Sequence, residues 1–409
     1  MKSYFNASFF RGNRQKLRQL CQTELIVVTA NGLLQRSGDT TFPFRQDSNF
    51  WYLTGIDEPD IVLVMDKSRE YLIVPERDTH RLVFDGAVDM QVLRKKSGID
   101  DIQTAIPGWK HLDVSLASAT QAATLLSGGA YAASYGLYVN PARAALLERL
   151  KKTNPDLDFV DIRKQLAAMR VVKQKPELQA LQAAITVTAA TLRELSASEQ
   201  WPGYTHEHQI EAAVTQGFRA RGASGHAYSP IVASGKHACT LHYVANNGKL
   251  QPDDLILLDV GAEVQNYAAD ITRVYTRSTP TARQQVIHQA VIKTQEFALQ
   301  QLQPGVMLKS YEQSVEQYIG EQLRELGLIN EIEHAAIRKY CSHATSHFLG
   351  LDVHDVGDYQ SPLEPGMVLT VEPGIYIPEE GIGIRIEDDV LITEEGNKVL
   401  SAELPRDLL

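Results

Sequence analysis

Cysteine is scarce in this chain: Cys21, Cys239 and Cys341 are the only three among 409 residues. Three thiols so widely separated cannot build a disulfide framework, which argues against a disulfide-stapled extracellular fold and for a reducing, cytoplasmic compartment. Long apolar runs are missing too: none approaches the roughly eighteen residues a membrane helix needs. Residues 1–14 carry charged and polar side chains where a signal peptide requires an apolar stretch. Nor is there a basic excess. Fifty acidic residues against forty basic ones leave a net charge of −10, which speaks against nucleic acid or an anionic membrane as partner. Low-complexity segments are absent. What remains is an ordinary globular composition, 44% hydrophobic and 22% charged, at a length that suits two domains.

Toward the N-terminus, short apolar runs at 24–29, 61–65 and 71–74 read as strands. Residues 81–96 and 141–152 read as helices, the second with Asn140 as N-cap and Pro141 in its first turn. This alternation predicts an α/β domain over residues 1–170. A segment rich in basic residues, 161–175, precedes Pro176, which opens a helix to about 195, and the domain junction is placed there. The remainder, 171–409, reads as α+β. Thr279 and Pro280 start a helix to about 301, and Ser310 with Gln313 forms a capping box for another that Gly327 stops. A pair of strands at 254–261 and 268–276, and another at 367–372 and 383–392, divide this region into similar halves, although no sequence repeat is visible.

The chemistry-bearing residues cluster on those strand pairs. Asp259 lies inside an apolar strand and Asp270 on the returning one. With a two-residue turn at Val264 and Gln265, their parity puts both on one face, directly opposite or one diagonal apart, at about 5–8 Å. Two ionised carboxylates on one buried face repel, so one should turn neutral unless a cation binds. Glu372 and Glu387 repeat the arrangement on the second pair. Between the pairs, His343, His347 and His354 fall within twelve residues. Four carboxylates with an imidazole form a hard, oxygen-rich set that suits manganese or magnesium better than a structural zinc site. Their four negative charges are neutralised by two divalent ions and not by one. Two such ions can hold a hydroxide and polarise a carbonyl, so the chemistry implied is hydrolysis.

These residues carry a family resemblance. Asp259, then Asp270-Ile-Thr-Arg273, then Ser346-His347 through His354-Asp355, then Val371-Glu372-Pro-Gly374, then Arg385-Ile-Glu387 resemble the Xaa-Pro peptidases, aminopeptidase P and prolidase. The likeness spans about 170–393 and extends more weakly to 13–17 and 44–55, which resemble the aminopeptidase P N-terminal domain. The resemblance implies an α/β N-terminal domain of the creatinase/aminopeptidase P type, concerned with oligomerisation and access to the site, followed by a pita-bread catalytic domain. It implies a metallo-aminopeptidase that removes an N-terminal residue preceding proline, with prolidase, restricted to Xaa-Pro dipeptides, as the alternative. A non-catalytic pita-bread binding protein is disfavoured by the intact ligand set.

Carried over residue by residue, the resemblance makes Asp259, Asp270, His347, Glu372 and Glu387 the metal ligands, with Asp270 and Glu387 bridging. Two divalent ions per chain are expected, manganese ranked first and cobalt, zinc and iron as alternatives. Glu372 would also move protons. His242 would lie near the scissile carbonyl, His354 would stabilise the tetrahedral intermediate, and His343 and Arg385 would line the same cleft. Substrates would be proline-containing peptides, and a homodimer or homotetramer is expected by analogy. Lys236 and His237 stand where acidic or polar residues are usual, and Asn266 stands where glycine is common in the turn. The stretch between Glu372 and Arg385 is short. His206-Glu-His208 does not fit the HExxH zinc spacing and reads as surface. Cys239 and Cys341 read as inert thiols, and Phe50-Trp-Tyr52 as core or a subunit contact.

Overall fold

The structure, a computed structural model, describes residues 3–126, 132 and 134–408. It resolves into two compact units, Phe5–Met169 and Arg170–Leu409, the latter together with Ser3 and Tyr4. The change from one unit to the next falls inside the helix Arg163–Val171.

The first unit is built on a six-stranded mixed sheet in the order Asp101–Thr104, Glu70–Val74, Val62–Met65, Ile26–Thr29, Gln121–Thr124, Asp158–Asp161. The three apolar runs form its central strands, and Ile26–Thr29 and Val62–Met65 are buried at every residue, hence their unbroken hydrophobicity. The two edge strands are polar and half-exposed, so they carry no such run. The helix expected at 81–96 is two helices, Thr79–Asp85 and Met90–Ser97. Gly86, at φ +73°, ends the first, and the Asp89 carboxylate caps the second by accepting from the Gln91 and Val92 amides. Phe50, Trp51 and Tyr52 lie on the helix Ser48–Thr54 and are core, with Trp51 edge-on to Phe5 and Phe10. The motifs at 13–17 and 44–55 meet here: Asn13 donates to the Tyr52 carbonyl and the buried Arg14 to the Leu53 carbonyl.

In the second unit, the helices Lys175–Ala197 and Glu207–Ala220 pack on one strand ribbon. The helices Ala282–Gln301 and Leu308–Glu325 belong to the second half. A Gln174–Glu177 capping box starts the first of these helices and a Thr281–Gln284 box starts the third. The box expected at Ser310 and Gln313 is absent: the helix begins earlier, after Met307, which has no side chain to cap it. Gly327, at φ +72°, stops that helix as expected.

The first ribbon pairs Ile256–Val260 antiparallel with Ile271–Tyr275 and, on its other edge, with Ile231–Ser234. Ile256, Leu258 and Val260 face the core under the first helix pair, while Leu257, which shares Asp259's parity, faces the other core. The ribbon is interrupted at Gly261 and Ala269, then resumes as Ala262–Val264 against Tyr267–Ala268. Gly261 is obligatory: a Cβ there would lie 1.7 Å from the Ala269 carbonyl oxygen. Gln265 and Asn266, at φ +50° and +68°, close the hairpin as a two-residue turn. That turn is one residue later than expected, which leaves Asp259 opposite Thr272 and one diagonal from Asp270.

The second ribbon is also interrupted. Val368–Val371 pairs with Asp388–Thr393, and Gly374–Ile377 pairs with Ile382–Arg385. Pro373, which has no N–H, lies at the break. The register continues across it, Val371 opposite Asp388 and Gly374 opposite Arg385, so Glu372 and Glu387 stand face to face in the gap.

Candidate metal centre

Asp270, Glu372 and Glu387 therefore sit at interruptions in the two ribbons, where the ladder no longer dictates side-chain direction, whereas Asp259 is held in the ladder between Ile231 and Thr272. Thr272 and Glu387 join the ribbons: the Glu387 amide donates to the Thr272 carbonyl at 3.1 Å, and Thr272 Oγ1 donates to Glu387 Oε2 at 2.6 Å. Behind them lies the buried guanidinium of Arg273. It donates to the carbonyls of Thr272 and Glu387, to Asp388 Oδ1, and to the carbonyls of Leu404 and Pro405.

Asp270, His347 and Glu387 each present a ligand atom within 4.8 Å of the other two. His347 Nε2 is 3.4 Å from Asp270 Oδ2 and 3.4 Å from Glu372 Oε1, while its Nδ1–H donates to the Phe348 carbonyl. That second bond fixes the tautomer that turns Nε2 toward the carboxylates. Asp259 joins the group through Tyr228, whose hydroxyl lies 2.6 Å from Oδ1 of both Asp259 and Asp270. Arg385 binds Asp259 Oδ2 and donates to Thr272 Oγ1 and Tyr376.

The electrostatics show what this packing costs. Burial, then the neighbouring carboxylates, raise Glu387 well above the usual range. Burial raises Asp259 as well, despite Arg385, and lifts Glu372 to about 8. Burial would lower His347, but Asp270 and Glu372 outweigh it and push the imidazole up to about 9. Carboxylates buried this close together repel one another unless protons or cations neutralise them, so this donor set fits divalent cations. His343 and His354 behave oppositely. Desolvation and nearby positive charge push them down to about 3 and about 4, so both are neutral at physiological pH.

His343 belongs to a directed chain: Arg385 Nη1 donates to the Tyr376 oxygen, Tyr376 O–H donates to His343 Nε2, and His343 Nδ1–H donates to the Ala344 carbonyl. His343 Nδ1 is 3.6 Å from Glu372 Oε2. The His354 ring packs edge-on to His347 at 4.2 Å, and His242 is near enough to His354 to act on its charge. The next residue, Asp355, is buried and bound by Arg170 and by Lys173 Nζ, the latter at 2.8 Å, which clamps the turn carrying His354. Burial would raise the Asp355 carboxyl, but these two cations hold it below the usual range.

Every site residue expected from the sequence is thus in or beside one cluster. Sequence reasoning missed Tyr228 and Tyr376, whose residue type carries no signal of its own, and gave no role to Thr272 and Arg273 although both lie in the Asp270-Ile-Thr-Arg273 motif. Glu312, which accepts from the Thr345 and Ser346 amides just before His347, was missed as well. The surface reading of residues 206–208 holds for the exposed His208, in part for the half-buried His206, and not for Glu207, whose side chain is fully buried.

Residues 179–394 match the model of metallopeptidase family M24, and residues 10–122 match the aminopeptidase P N-terminal domain. The chain belongs to this metallopeptidase family, in its Xaa-Pro aminopeptidase branch. It is 35% identical to a Xaa-Pro aminopeptidase of Escherichia coli, over 97% of this chain and 94% of the relative. It is 32% identical to human Xaa-Pro aminopeptidase 3, over 97% of this chain and 83% of the relative. Its fold matches zinc-substituted E. coli aminopeptidase P in complex with product, with a TM-score of 0.86 at 31% identity, covering 98% of this chain and 96% of the other. The same enzyme with the inhibitor Pro-Leu matches with a TM-score of 0.84 at 31% identity and the same coverage.

Proposed function

We propose that this chain is a dinuclear metallo-aminopeptidase that hydrolyses the peptide bond between an N-terminal residue and a following proline. Asp259, Asp270, His347, Glu372 and Glu387 are its metal ligands in this reading. The observation that carries it is the convergence of four mutually repelling carboxylates from two ribbons with Nε2 of His347, which comes from the irregular segment between them. Two divalent ions, manganese first and cobalt, zinc or iron as alternatives, would supply a nucleophile from water at neutral pH and polarise the scissile carbonyl.

The side chains divide the remaining work. Glu372 is loosely held, with Thr370 Oγ1 at 3.4 Å, which leaves its carboxylate free to take a proton from the attacking water. An amide to proline has no N–H, and its nitrogen must gain a proton as it leaves, so Glu372 hands that proton on. His354 and His242, as donors in this scheme, stabilise charge developing on the carbonyl oxygen. Arg385 orients Asp259 and, through Tyr376, His343.

Kinetics on peptides from two to five residues, with proline or alanine in second position, test this reading. A tripeptide with central proline is cleaved at least as fast as the matching dipeptide, and alanine in second position is cleaved far more slowly. Hydrolysis of the dipeptide alone would move the assignment to prolidase. Unchanged hydrolysis by fully metal-free protein would remove the metal from the mechanism.

The N-terminal unit is proposed to contact a second copy and to narrow access to the site, in a homodimer or homotetramer. Its exposed Val83, Phe84, Ile106 and Tyr138 support this, and sedimentation tests it. Among the described residues no helix is long and apolar enough to cross a membrane. The three cysteines are free thiols, in keeping with the cytoplasmic compartment proposed here.

A further inference from the structure

His242 lies on an irregular segment, between the turn Gly235–Cys239 and the strand Ile256–Val260, and its side chain is exposed. No ladder or helix aims it. Something else must, because a donor misplaced by about 1 Å can cost a hundred-fold in rate.

The segment is pinned to one carboxylate. Glu207, in the first turn of the helix Glu207–Ala220, has a side chain with no exposure. Its Oε1 accepts from the Ser234 amide at 2.9 Å, Ser234 Oγ at 2.8 Å and His237 Nδ1 at 2.9 Å. Its Oε2 accepts from the Tyr243 hydroxyl at 2.9 Å and the Gly248 amide at 2.6 Å. Five donors spread over fifteen residues converge on this one group, and His242 lies between two of them. The rings of His237 and Tyr243 also stack, 4.4 Å apart at 21°. Gly248 leaves room for this: a Cβ there would lie 2.6 Å from the His237 ring and 2.7 Å from Glu207 Oε2. One turn further along the helix, Glu211 accepts from Asn246, whose own Oδ1 accepts from the Val232 amide. The backbone itself shortens the reach, with Thr240 N bonded to the His237 carbonyl and Tyr243 N to the Thr240 carbonyl.

The geometry points to Glu207 as a positioning residue for His242, acting through His237 and Tyr243. The inference rests on the reading above that His242 faces the substrate. A buried carboxylate with this many donors stays ionised: burial would raise it, but the bonds from His237, Ser234 and Gly248 hold it below the usual range. His237, which departs from the family's usual residue type, supplies both a donor and a stacking face. A side chain with the donor but no ring would keep the bond and lose the stack.

A double-mutant cycle tests it. Glu207→Gln keeps the shape but replaces an acceptor oxygen by an amide nitrogen. Tyr243→Phe keeps the stack and removes only the hydroxyl, and covers the case in which Glu207→Gln fails to fold. Each is expected to lower kcat on an Xaa-Pro-Xaa tripeptide about ten- to a hundred-fold. KM and bound metal should stay within about two-fold of the parent, as expected for an interaction made in the transition state. In a His242→Ala background the same substitutions should change kcat by less than about two-fold. His237→Asn should retain most of the activity that His237→Ala loses, because its amide replaces the Nδ1 donor.

Equal losses in the two backgrounds would show that Glu207 acts independently of His242 and overturn the assignment. Full activity in His242→Ala would overturn it too. The second readout needs no turnover. In metal-free protein the His242 Cε1–H resonance, identified by its loss in His242→Ala, should shift or broaden in Glu207→Gln while that of His334 stays put. If the chain cleaves no Xaa-Pro bond, the peptidase reading falls, and an unmoved His242 resonance remains the result that removes Glu207 from its role.

Discussion

The two ribbons deliver the same chemical groups by different geometry. On the first, Asp259 and Asp270 are a diagonal apart, and both are gripped by strong donors, Tyr228 between them and Arg385 on the far oxygen of Asp259. On the second, Glu372 and Glu387 face each other across a gap. Glu387 is gripped by Thr272, whereas Glu372 has only longer contacts, at 3.4 Å to Thr370 and His347 and 3.6 Å to His343. In the proposed division, a carboxylate held by several donors serves as a fixed ligand, and one held loosely is free to exchange a proton. The extra methylene of glutamate adds reach at the same position. One ribbon therefore builds a rigid wall, and the other combines a wall with a movable acid.

The comparison breaks most visibly at Glu387, whose carboxylate and amide both bond to Thr272 on the other ribbon. Glu387→Ala should lower kcat/KM on the order of 10³-fold or more, the scale for removing a member of a unit that acts together. Elemental analysis should find metal lost in parallel. Next, Glu372→Gln should lower kcat about 10²–10³-fold with metal retained, whereas Asp259→Asn should lose metal first. Equal metal loss in both variants would erase the proposed division between wall and acid.

Smaller effects sharpen the contrast. Tyr228→Phe should weaken metal binding about 10–100-fold in a chelator-competition titration with the fold intact, as expected for an outer partner of two ligands. The smallest effect is on stability. In metal-free protein Glu372 and His347 hold protons up to about pH 8 and about pH 9, above their unfolded values, so the native state binds the extra protons. Their contribution is complete at the acid end and is lost as pH rises through those values. His343 and His354 act oppositely, but only below the ordinary histidine range. Between about pH 6.5 and 9, therefore, the Tm of chelated protein should fall by several degrees. A divalent ion should flatten the curve, which thermal circular dichroism can follow.

Much of this was readable in advance because acids inside apolar strands are costly and therefore conspicuous. Asp259 among Leu257, Leu258 and Val260, and Glu372 after Val371, could be placed on a face by strand parity alone. A diagonal instead of a direct pairing hinged on a turn one residue later, at Gln265 and Asn266, both of which took positive φ. The edge strands Asp101–Thr104 and Asp158–Asp161 escaped notice because half-exposed strands need no hydrophobic alternation. Tyr228 and Tyr376 escaped because a tyrosine declares its role only through what its hydroxyl reaches. Glu207 was hidden by its neighbours: His206 is a half-buried N-cap and His208 is exposed, and nothing local says that the residue between them turns inward.

Arg273 gives the far end of the chain an unexpected stake in the centre. Two of its five bonds end on the carbonyls of Leu404 and Pro405, and two others end on the carbonyls of Thr272 and Glu387. Trimming the polypeptide before Leu404 would take two of its five acceptors from this buried cation, leaving Asp388 and the carbonyls of Thr272 and Glu387, and would slacken the seam between the ribbons. Deletions that remove Leu404 and Pro405 are therefore expected to weaken metal loading, however remote they look on a linear map.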